Sequence, residues 1–233
     1  MFHIAIVALS DAGIFHRDIS TGNLMLRRLP GPEGKIQGVL SDFDLAVDMH
    51  DPDMRGNSHL HRTGTLPFLS MSLLKQLEDP ELAGRFPYIL RFDLESCVYV
   101  FLWDAMLHSE GRNTLKSQVK QAHDLLDSWM TSDPAALYKD KHALLDTFND
   151  KYLREGDEKA AELFPYVAEC RTPLDELLSA ISEGYFVWRR EVKRCKLDVS
   201  TPQWQDLCDY FGPSFVLERF ETMQMILTGP ASA

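Results

Sequence analysis

The stretch from Leu94 to Leu107 constrains the fold most, because its side chains are apolar around nearly the whole circumference of a helix. Other elements must surround a helix of this kind, so we predict a central buried helix over about residues 93–107. The composition fits such a core, since 45% of the 233 residues are hydrophobic and 25% are charged. These values are ordinary for globular proteins and exclude a disordered, collagen-like or fibrous chain.

The chain from residue 70 onward has helical patterning. Ser132-Asp133-Pro134 is a helix start with proline at the first helical position, and Thr172 to Asp175 resembles a capping box. Apolar stripes at helical spacing occupy two further segments, at Val119, Ala122, Leu126 and Trp129 and at Val216, Phe220, Met223 and Leu227. We therefore predict a mainly α fold, with a helical remainder over residues 112–228.

The N-terminal part of the chain is predicted to contain the few strands. Residues 1–12 are apolar on most sides and predict a buried helix that ends at Gly13. Residues 24–26 and 38–40 predict two short strands of a small β-hairpin region, with a proline- and glycine-rich turn between them. Residues 48–67 are polar and predict a long irregular loop, a feature that is often functional in compact domains.

The charge and the cysteine content restrict the partners and the compartment. With 35 acidic and 24 basic residues the formal net charge is −11, which argues against nucleic acid or an anionic membrane surface as a partner. No apolar run reaches the roughly 18 residues of a membrane span, and the first residues lack the basic start of a signal peptide. The four cysteines form no C-x-x-C pair. We expect an intracellular protein, in the cytoplasm or the nucleus.

Two short stretches carry the residues suited to chemistry. The first runs from His16 to Asn23 and places Asp18 and Asn23 five residues apart, and the second is Ser41-Asp42-Phe43-Asp44. Phosphoryl transfer needs a carboxylate that orients the nucleophile and accepts its proton, together with an amide oxygen and a second carboxylate that hold magnesium. Hard oxygen ligands of this kind suit Mg²⁺. The spacing therefore predicts a magnesium-dependent phosphoryl site.

These stretches resemble the H-R-D-x-x-x-x-N catalytic loop and the D-F-G motif of protein kinases. Residues 62–68 resemble the end of an activation segment, and Asp93-Leu94-Glu95-Ser96 resembles the start of the central helix of the large lobe. Asp-Phe-Asp in place of Asp-Phe-Gly, together with these two motifs, is most similar to the fungal-type protein kinase family. The resemblance covers residues 1–107 and continues in weaker form through Trp129, Lys139 and Lys141.

The resemblance implies that residues 1–233 form the C-terminal lobe of a protein kinase-like fold. This lobe would contain a catalytic loop over 16–23, a metal-binding turn over 42–44 and an activation segment over about 42–72. The implied reaction transfers the γ-phosphoryl group of ATP, with Mg²⁺, to serine or threonine hydroxyls of a protein substrate. Asp18 would be the catalytic base, while Asn23 and Asp42 would bind the nucleotide through magnesium.

The resemblance also implies supporting roles around these three residues. His16 and Phe43 would pack together behind the site, and Arg17 would brace the activation segment. The backbone of the catalytic loop would be held from beneath by hydrogen bonds to Asp93. Thr65 would shape the lip on which the substrate peptide lies.

Three positions depart from the kinase pattern. Ser20 stands in the catalytic loop where serine/threonine kinases usually have a lysine, so a positive charge is missing there. Asp44 replaces the glycine of the metal-binding turn, where we expect it to tolerate a left-handed backbone and to add a metal ligand. Ser70-Met71-Ser72 replaces Ala-Pro-Glu, so the buried glutamate–arginine pair that usually ties down this segment is expected to be absent.

Only fifteen residues precede His16, too few for the glycine-rich loop and the lysine of a kinase small lobe. We therefore expect the large lobe alone, with the floor of the adenine pocket. An apolar surface that a small lobe or another partner would cover is expected near these residues: Phe2, Ile4, Ile14, Phe15, Leu24 and Leu26.

Two other functions stay open at this point. A truncated pseudokinase or protein-binding module would explain Ser20 and the missing small lobe. A small-molecule phosphotransferase of the aminoglycoside or choline kinase type would explain the Asp42-Phe43-Asp44 pair, although such enzymes lack an activation segment and residues 62–68 resemble one.

Overall fold

The chain folds as two compact units, residues 1–100 and 101–233, in the computed structural model. The residues that the structure describes are 2–30, 36–48, 50, 64–78, 89–108, 116–147, 169–195 and 211–228. Within them the chain is mainly helical with a few short antiparallel strands, as the sequence predicts. Of the loop predicted over 48–67, residues 49 and 51–63 lie outside the described residues.

The first unit begins with helix α1 (Phe2–Asp11), followed by strand β1 (Ile14–Phe15). Gly13 ends the helix as predicted, because its φ of 77° is a left-handed conformation that glycine adopts without steric cost and its N–H donates to the Ser10 carbonyl. The prediction that the whole helix is buried was too strong. Ile6 is buried, whereas Ala8 is exposed and the other described side chains of α1 are half-buried at most.

Two separate antiparallel pairs make up the β-structure of the described residues. Strands β2 (Leu24–Arg28) and β3 (Ile36–Leu40) form the predicted hairpin, with Leu24 opposite Leu40. Strand β4 (Val47–Asp48) pairs with β1, with Phe15 opposite Val47. This second pair was not predicted, and it brings the two ends of residues 14–48 together. The catalytic-loop motif and the Asp-Phe-Asp motif are therefore carried between paired strands.

A short 3₁₀ turn (Leu66–Phe68) and helix α2 (Met71–Glu78) lead towards the central helix. Helix α3 (Leu90–Leu107) contains the predicted apolar stretch, and every side chain from Arg91 to Val100 is buried. Its buried apolar residues include Phe92, Leu94, Val98 and Tyr99. Burial of these large side chains stabilises the packing of α3 by about 25 cal/mol per Å² of apolar surface removed from water.

The second unit contains helices α4 (Lys116–Trp129), α5 (Pro134–Asp146), α6 (Arg171–Cys195) and α7 (Pro213–Thr228). Trp129 and Lys141 are both fully buried, and the lysine Nζ lies 5.0 Å from the centroid of the indole ring. A cation placed over an aromatic face is attracted by the negative charge of that face. Arg219 of α7 donates to the Glu176 carboxylate of α6 at 2.8 Å. Helix α7 buries Val216 and Met223 of the predicted stripe, whereas Leu227 is exposed.

The described cysteines Cys97 and Cys170 are free and buried. Burial raises the pKa of the Cys97 thiol well above its ordinary value, and the Asp93 carboxylate adds to the shift. Burial likewise raises the pKa of Cys170 to about 11. Both thiols therefore stay protonated and poorly nucleophilic at neutral pH. Among the described residues, no helix is both long and apolar enough to cross a membrane.

Replacing Asp133 by alanine is expected to destabilise the second unit. Asp133 is the N-cap of α5, and its side chain accepts a hydrogen bond from the Ala135 N–H at 2.9 Å, with Pro134 following it. Loss of such a cap costs about 1 kcal/mol. Urea unfolding of Asp133→Ala measures this, with Ser132→Ala as the control, because Ser132 is exposed and lies outside the helix. Equal stability of the two variants would contradict this assignment of the cap.

Candidate functional site

The catalytic-loop stretch is fixed to the central helix by one buried carboxylate. Asp93, in the first turn of α3, accepts a hydrogen bond from the His16 N–H at 3.0 Å and another from the Arg17 N–H at 3.1 Å. The expected support from beneath the loop is thus observed. Arg17 has a φ of 70°, a left-handed conformation that is uncommon for a residue with a Cβ. Because Asp93 is fully buried, it is a rigid anchor for this strained position.

The next residue, Asp18, is half-buried and held by the other polar residue of the loop. The side-chain N–H of Asn23 donates to the Asp18 carboxylate Oδ2 at 3.0 Å and to the Asp18 carbonyl at 2.9 Å. The Asn23 backbone N–H donates to the Ser20 carbonyl at 3.1 Å, which closes the loop as a turn. The amide nitrogen of Asn23 is therefore committed to Asp18, and its amide oxygen is the atom that can serve a ligand.

The other carboxylate oxygen of Asp18 contacts the segment that resembles the end of an activation segment. Oδ1 accepts hydrogen bonds from both the backbone N–H and the hydroxyl of Thr65, each at 2.9 Å. Gly64 makes this approach possible, because a Cβ there would lie 2.7 Å from Leu69 Cδ2 and 3.1 Å from the Arg17 carbonyl oxygen. The sequence predicted a role for Thr65 in this region, and the contact with Asp18 is an addition to that prediction.

The Asp-Phe-Asp stretch is tied to the same loop through Ser41. The Ser41 N–H donates to the Asn23 carbonyl at 3.0 Å, and the Ser41 carbonyl lies 3.0 Å from Nε2 of His16. A carbonyl can only accept, so the proton of this bond is on Nε2. The rings of His16 and Phe43 meet edge to face with centroids 4.9 Å apart, as expected. Asp42 is therefore attached through its neighbours on both sides to the loop that holds Asn23 and Asp18.

The backbone of the Asp-Phe-Asp stretch differs from the expectation. The left-handed residue is Asp42, with a φ of 62°, and Asp44 has no positive φ. The Asp42 carboxylate accepts a hydrogen bond from the Asp44 N–H at 3.4 Å, which stabilises this turn locally. An aspartate tolerates the left-handed region better than most residues, so the strain is at Asp42 and the position of Asp44 does not require glycine. Both carboxylates are exposed.

The predicted residues of the catalytic loop have different surroundings. Arg17 and Ser20 are buried, whereas Asp18 is accessible in part. Ser20 contributes its backbone carbonyl to the turn at Asn23. The structure thus brings Asp18, Asn23 and Ser20 into one turn and connects Asp42 to it through Ser41.

A further buried residue, Glu95, was not singled out in the sequence. Its Oε1 accepts hydrogen bonds from the Met71 N–H at 2.9 Å and from the Tyr99 hydroxyl at 2.8 Å. Its Oε2 lies 3.8 Å from a guanidinium nitrogen of Arg91. The segment at Ser70-Met71-Ser72 is therefore tied down by a buried glutamate with an arginine beside it, although both come from α3. The signal in the sequence was an acidic residue within an otherwise apolar helix.

The donor set at this site suits a hard cation. An amide oxygen of Asn23 and the carboxylate of Asp42 are oxygen ligands, which Mg²⁺ prefers. No group of three histidine, cysteine or acidic side chains within the described residues could hold a metal ion by itself. In phosphoryl-transfer sites in general, water and substrate phosphates supply most ligands of Mg²⁺. Asn23 and Asp42 are the residues that would hold a divalent cation, which would supply positive charge to a phosphate, and Asp18 is a carboxylate that could accept the proton of a hydroxyl.

Comparison with known families agrees with the motifs. The model of the family described as fungal protein kinase matches residues 4–105. This segment includes the catalytic-loop stretch, the Asp-Phe-Asp stretch and nearly the whole of α3, with Asp93 and Glu95. It confirms the resemblance to fungal-type protein kinases over this part of the chain. No curated protein matches the chain.

Asp93→Ala is expected to destabilise the first unit strongly, since two buried backbone N–H groups lose their acceptor. We expect a cost of about 3 kcal/mol, because each unsatisfied buried donor costs roughly 1–3 kcal/mol. Denaturant unfolding measures the loss, and the Asp104→Ala variant is the matched control, because Asp104 is an exposed carboxylate on the same helix. A cost within about 0.5 kcal/mol of the control, the usual size of a surface effect, would contradict the anchor role of Asp93.

Proposed function

We propose, from the match of residues 4–105 to the fungal protein kinase family, that the chain is the large lobe of a protein kinase. The reaction is transfer of the γ-phosphoryl group of ATP to a serine or threonine hydroxyl of a protein. The observation that carries the proposal is the arrangement of Asp18. Its carboxylate accepts hydrogen bonds from Asn23 within the catalytic loop and from Thr65 in the activation segment.

The carboxylate of Asp18 acts as the base in this reaction. The hydroxyl oxygen of the substrate forms a bond to the γ-phosphorus, and the bond from that phosphorus to the bridging oxygen breaks, which leaves ADP. The proton of the hydroxyl passes to Asp18. Three hydrogen bonds fix the carboxylate, so it is preorganised and needs little rearrangement when the substrate binds. Catalysis of phosphoryl transfer consists almost entirely of positioning and electrostatic stabilisation, and Asp18 contributes to the positioning of the nucleophile.

The residues present fit magnesium and ATP. Asn23 would use its amide oxygen and Asp42 its carboxylate to hold Mg²⁺, with Asp44 as a further carboxylate beside it. The bound cation would neutralise the developing charge of the phosphates. Strand β2 follows Asn23 directly and exposes Met25 and Leu26, with 48% and 71% of each residue accessible. Successive side chains of a strand point to opposite faces, so one of these two exposed apolar side chains is available on each face, which supports the proposal that β2 supplies the floor for the adenine ring.

Ser20 limits the electrostatic part of the mechanism. The lysine usual at this position would bring a positive charge to the transferring phosphate, and the buried Ser20 cannot replace it. Removal of one such stabilising group costs about a hundredfold or more in turnover. We therefore propose an enzyme of low intrinsic turnover, in which the magnesium ligands and Asp18 supply most of the rate enhancement.

A second candidate function is a protein-binding module without catalysis. It is favoured by two observations, namely the buried Ser20 and the exposed apolar side chains of Met25 and Leu26. Of the other residues expected on an uncovered surface, Ile14, Phe15 and Leu24 are half-buried, and the side chains of Phe2 and Ile4 lie outside the described residues. The first proposal includes a protein, and not a small molecule, as the acceptor of the phosphoryl group. It also includes specificity for serine or threonine.

Asp18→Asn is expected to lower phosphoryl transfer at least a hundredfold, as loss of a general base does, while leaving the affinity for Mg·ATP unchanged. Asp42→Asn is expected to weaken Mg·ATP binding itself. Radiolabelled γ-phosphate transfer to casein and calorimetric titration with Mg·ATP measure the two effects, and Asp104→Asn is the control, because it removes an exposed carboxylate away from the motifs.

Full activity of Asp18→Asn would overturn the assignment of the base. No transfer by the unaltered chain, together with no binding of Mg·ATP, would favour the protein-binding module.

A further inference from the structure

We propose that Glu95 is a positioning residue, which sets the contact between Thr65 and the Asp18 carboxylate. This inference rests on the proposed function in one respect, namely that Asp18 is the base. The structural part of the inference, that Glu95 positions Thr65, depends only on the contacts that Glu95 makes. Glu95, two positions after Asp93, would thereby hold the segment Ser70-Met71-Ser72 in place of the glutamate–arginine pair that this segment lacks.

The surroundings of Glu95 are those of a built polar site. The side chain is fully buried and accepts two hydrogen bonds, from the Met71 N–H and from the Tyr99 hydroxyl. Arg91, one turn earlier on α3 and also buried, lies 3.8 Å from the other oxygen. A buried carboxylate is costly unless it is paired and hydrogen-bonded. The presence of all three partners compensates this cost and gives the carboxylate a fixed position.

A short rigid connection links Met71 to Thr65. The Phe68 N–H donates to the Thr65 carbonyl at 2.9 Å, and the Leu69 N–H donates to the Leu66 carbonyl at 3.2 Å. Ser70 then accepts from the Leu74 N–H at 3.0 Å as α2 begins. Consecutive turns of this kind leave little backbone freedom between Thr65 and Met71. Fixing the N–H of Met71 therefore also fixes the position of Thr65.

Helix α3 therefore positions both partners of the contact between Thr65 and Asp18. Asp93 holds the backbone at His16 and Arg17, directly before Asp18, and Glu95 holds Met71, shortly after Thr65. The side chains of Asp93 and Glu95 are two residues apart on α3, so they point to different sides of it. Asp93 holds the loop that contains Asp18, and Glu95 holds the segment that contains Thr65. The loop and the segment meet at the hydrogen bonds that Thr65 donates to Asp18.

Hydrogen exchange of the full chain, followed residue by residue by NMR, tests the proposal. In Glu95→Leu the exchange of the Thr65 amide is expected to accelerate about tenfold or more, which is the effect of losing one buried hydrogen bond to a charged group. The His16 and Arg17 amides, which bond to Asp93, are expected to keep their rates. In Glu95→Gln the Thr65 rate is expected to return towards that of the unaltered chain, because the amide oxygen still accepts from Met71.

Ser96→Ala is the matched control, because its buried hydroxyl bonds to the Phe92 carbonyl of the same helix and reaches neither loop. If Glu95→Leu and Ser96→Ala change the Thr65 rate equally, or if the His16 and Arg17 amides accelerate together with Thr65, the positioning role is overturned.

A second pair of variants decides the question if Glu95→Leu does not fold. Met71 is the first residue of α2, a position where proline is tolerated. Met71→Pro removes the N–H that Glu95 accepts, whereas Met71→Ala shortens the side chain and keeps the N–H. Faster Thr65 exchange in the proline variant than in the alanine variant supports the proposal, and equal rates overturn it.

The kinetic readout separates this inference from the proposed function. Per mole of folded protein, kcat for phosphoryl transfer is expected to fall about tenfold in Glu95→Leu and to recover in Glu95→Gln, a rescue that follows from the retained acceptor. If the unaltered chain transfers no phosphate, the proposed function fails, while the exchange rates of Thr65 still decide whether Glu95 positions it.

Discussion

The structure of the first unit depends on the pair of hydrogen bonds that Asp93 accepts from the backbone of His16 and Arg17. These bonds connect a polar loop to the most buried helix of the unit, and they hold Arg17 in a left-handed conformation. A strained backbone persists only where the surroundings fix it. The carboxylate of Asp93 satisfies two buried donors, so the position of Asp18 follows from the position of α3.

The remaining contacts of the site extend this principle. Asn23 and Thr65 hold the two oxygens of Asp18, and Ser41 connects Asp42 to the loop of Asn23. Asp18 is half-buried and Asp42 is exposed, whereas Asn23 and the anchor Asp93 are buried. Precision at a solvent-accessible site therefore comes from polar groups in the core. This explains why an apolar helix carries Asp93 and Glu95, despite the cost of burying carboxylates.

Much of this site could be predicted from the sequence, because its motifs are local. Residues close in the chain determine the spacing of Asp18 and Asn23 and the hairpin that connects their loop to Asp42. The same is true, in the second unit, of the helix cap at Asp133. The pairing of β1 with β4 was missed because two-residue strands have no periodicity. The bond between Glu95 and Met71 spans 24 residues. A local sequence pattern does not indicate which backbone N–H will donate to a buried carboxylate. The bond between Glu95 and Met71 could therefore be found only in the structure.

In the proposed function, Asn23 and Asp42 hold a divalent cation beside Asp18. The most direct test is an NMR titration of the ¹⁵N-labelled chain with ATP and Mn²⁺, a paramagnetic substitute for Mg²⁺ that prefers the same oxygen ligands. Binding of the cation at this site predicts that amide signals of residues 18–23 and 42–44 broaden first, and that Asp42→Asn abolishes this broadening. Broadening centred on other acidic surfaces, such as Asp124 and Asp127 of α4, or unchanged in Asp42→Asn, would contradict it.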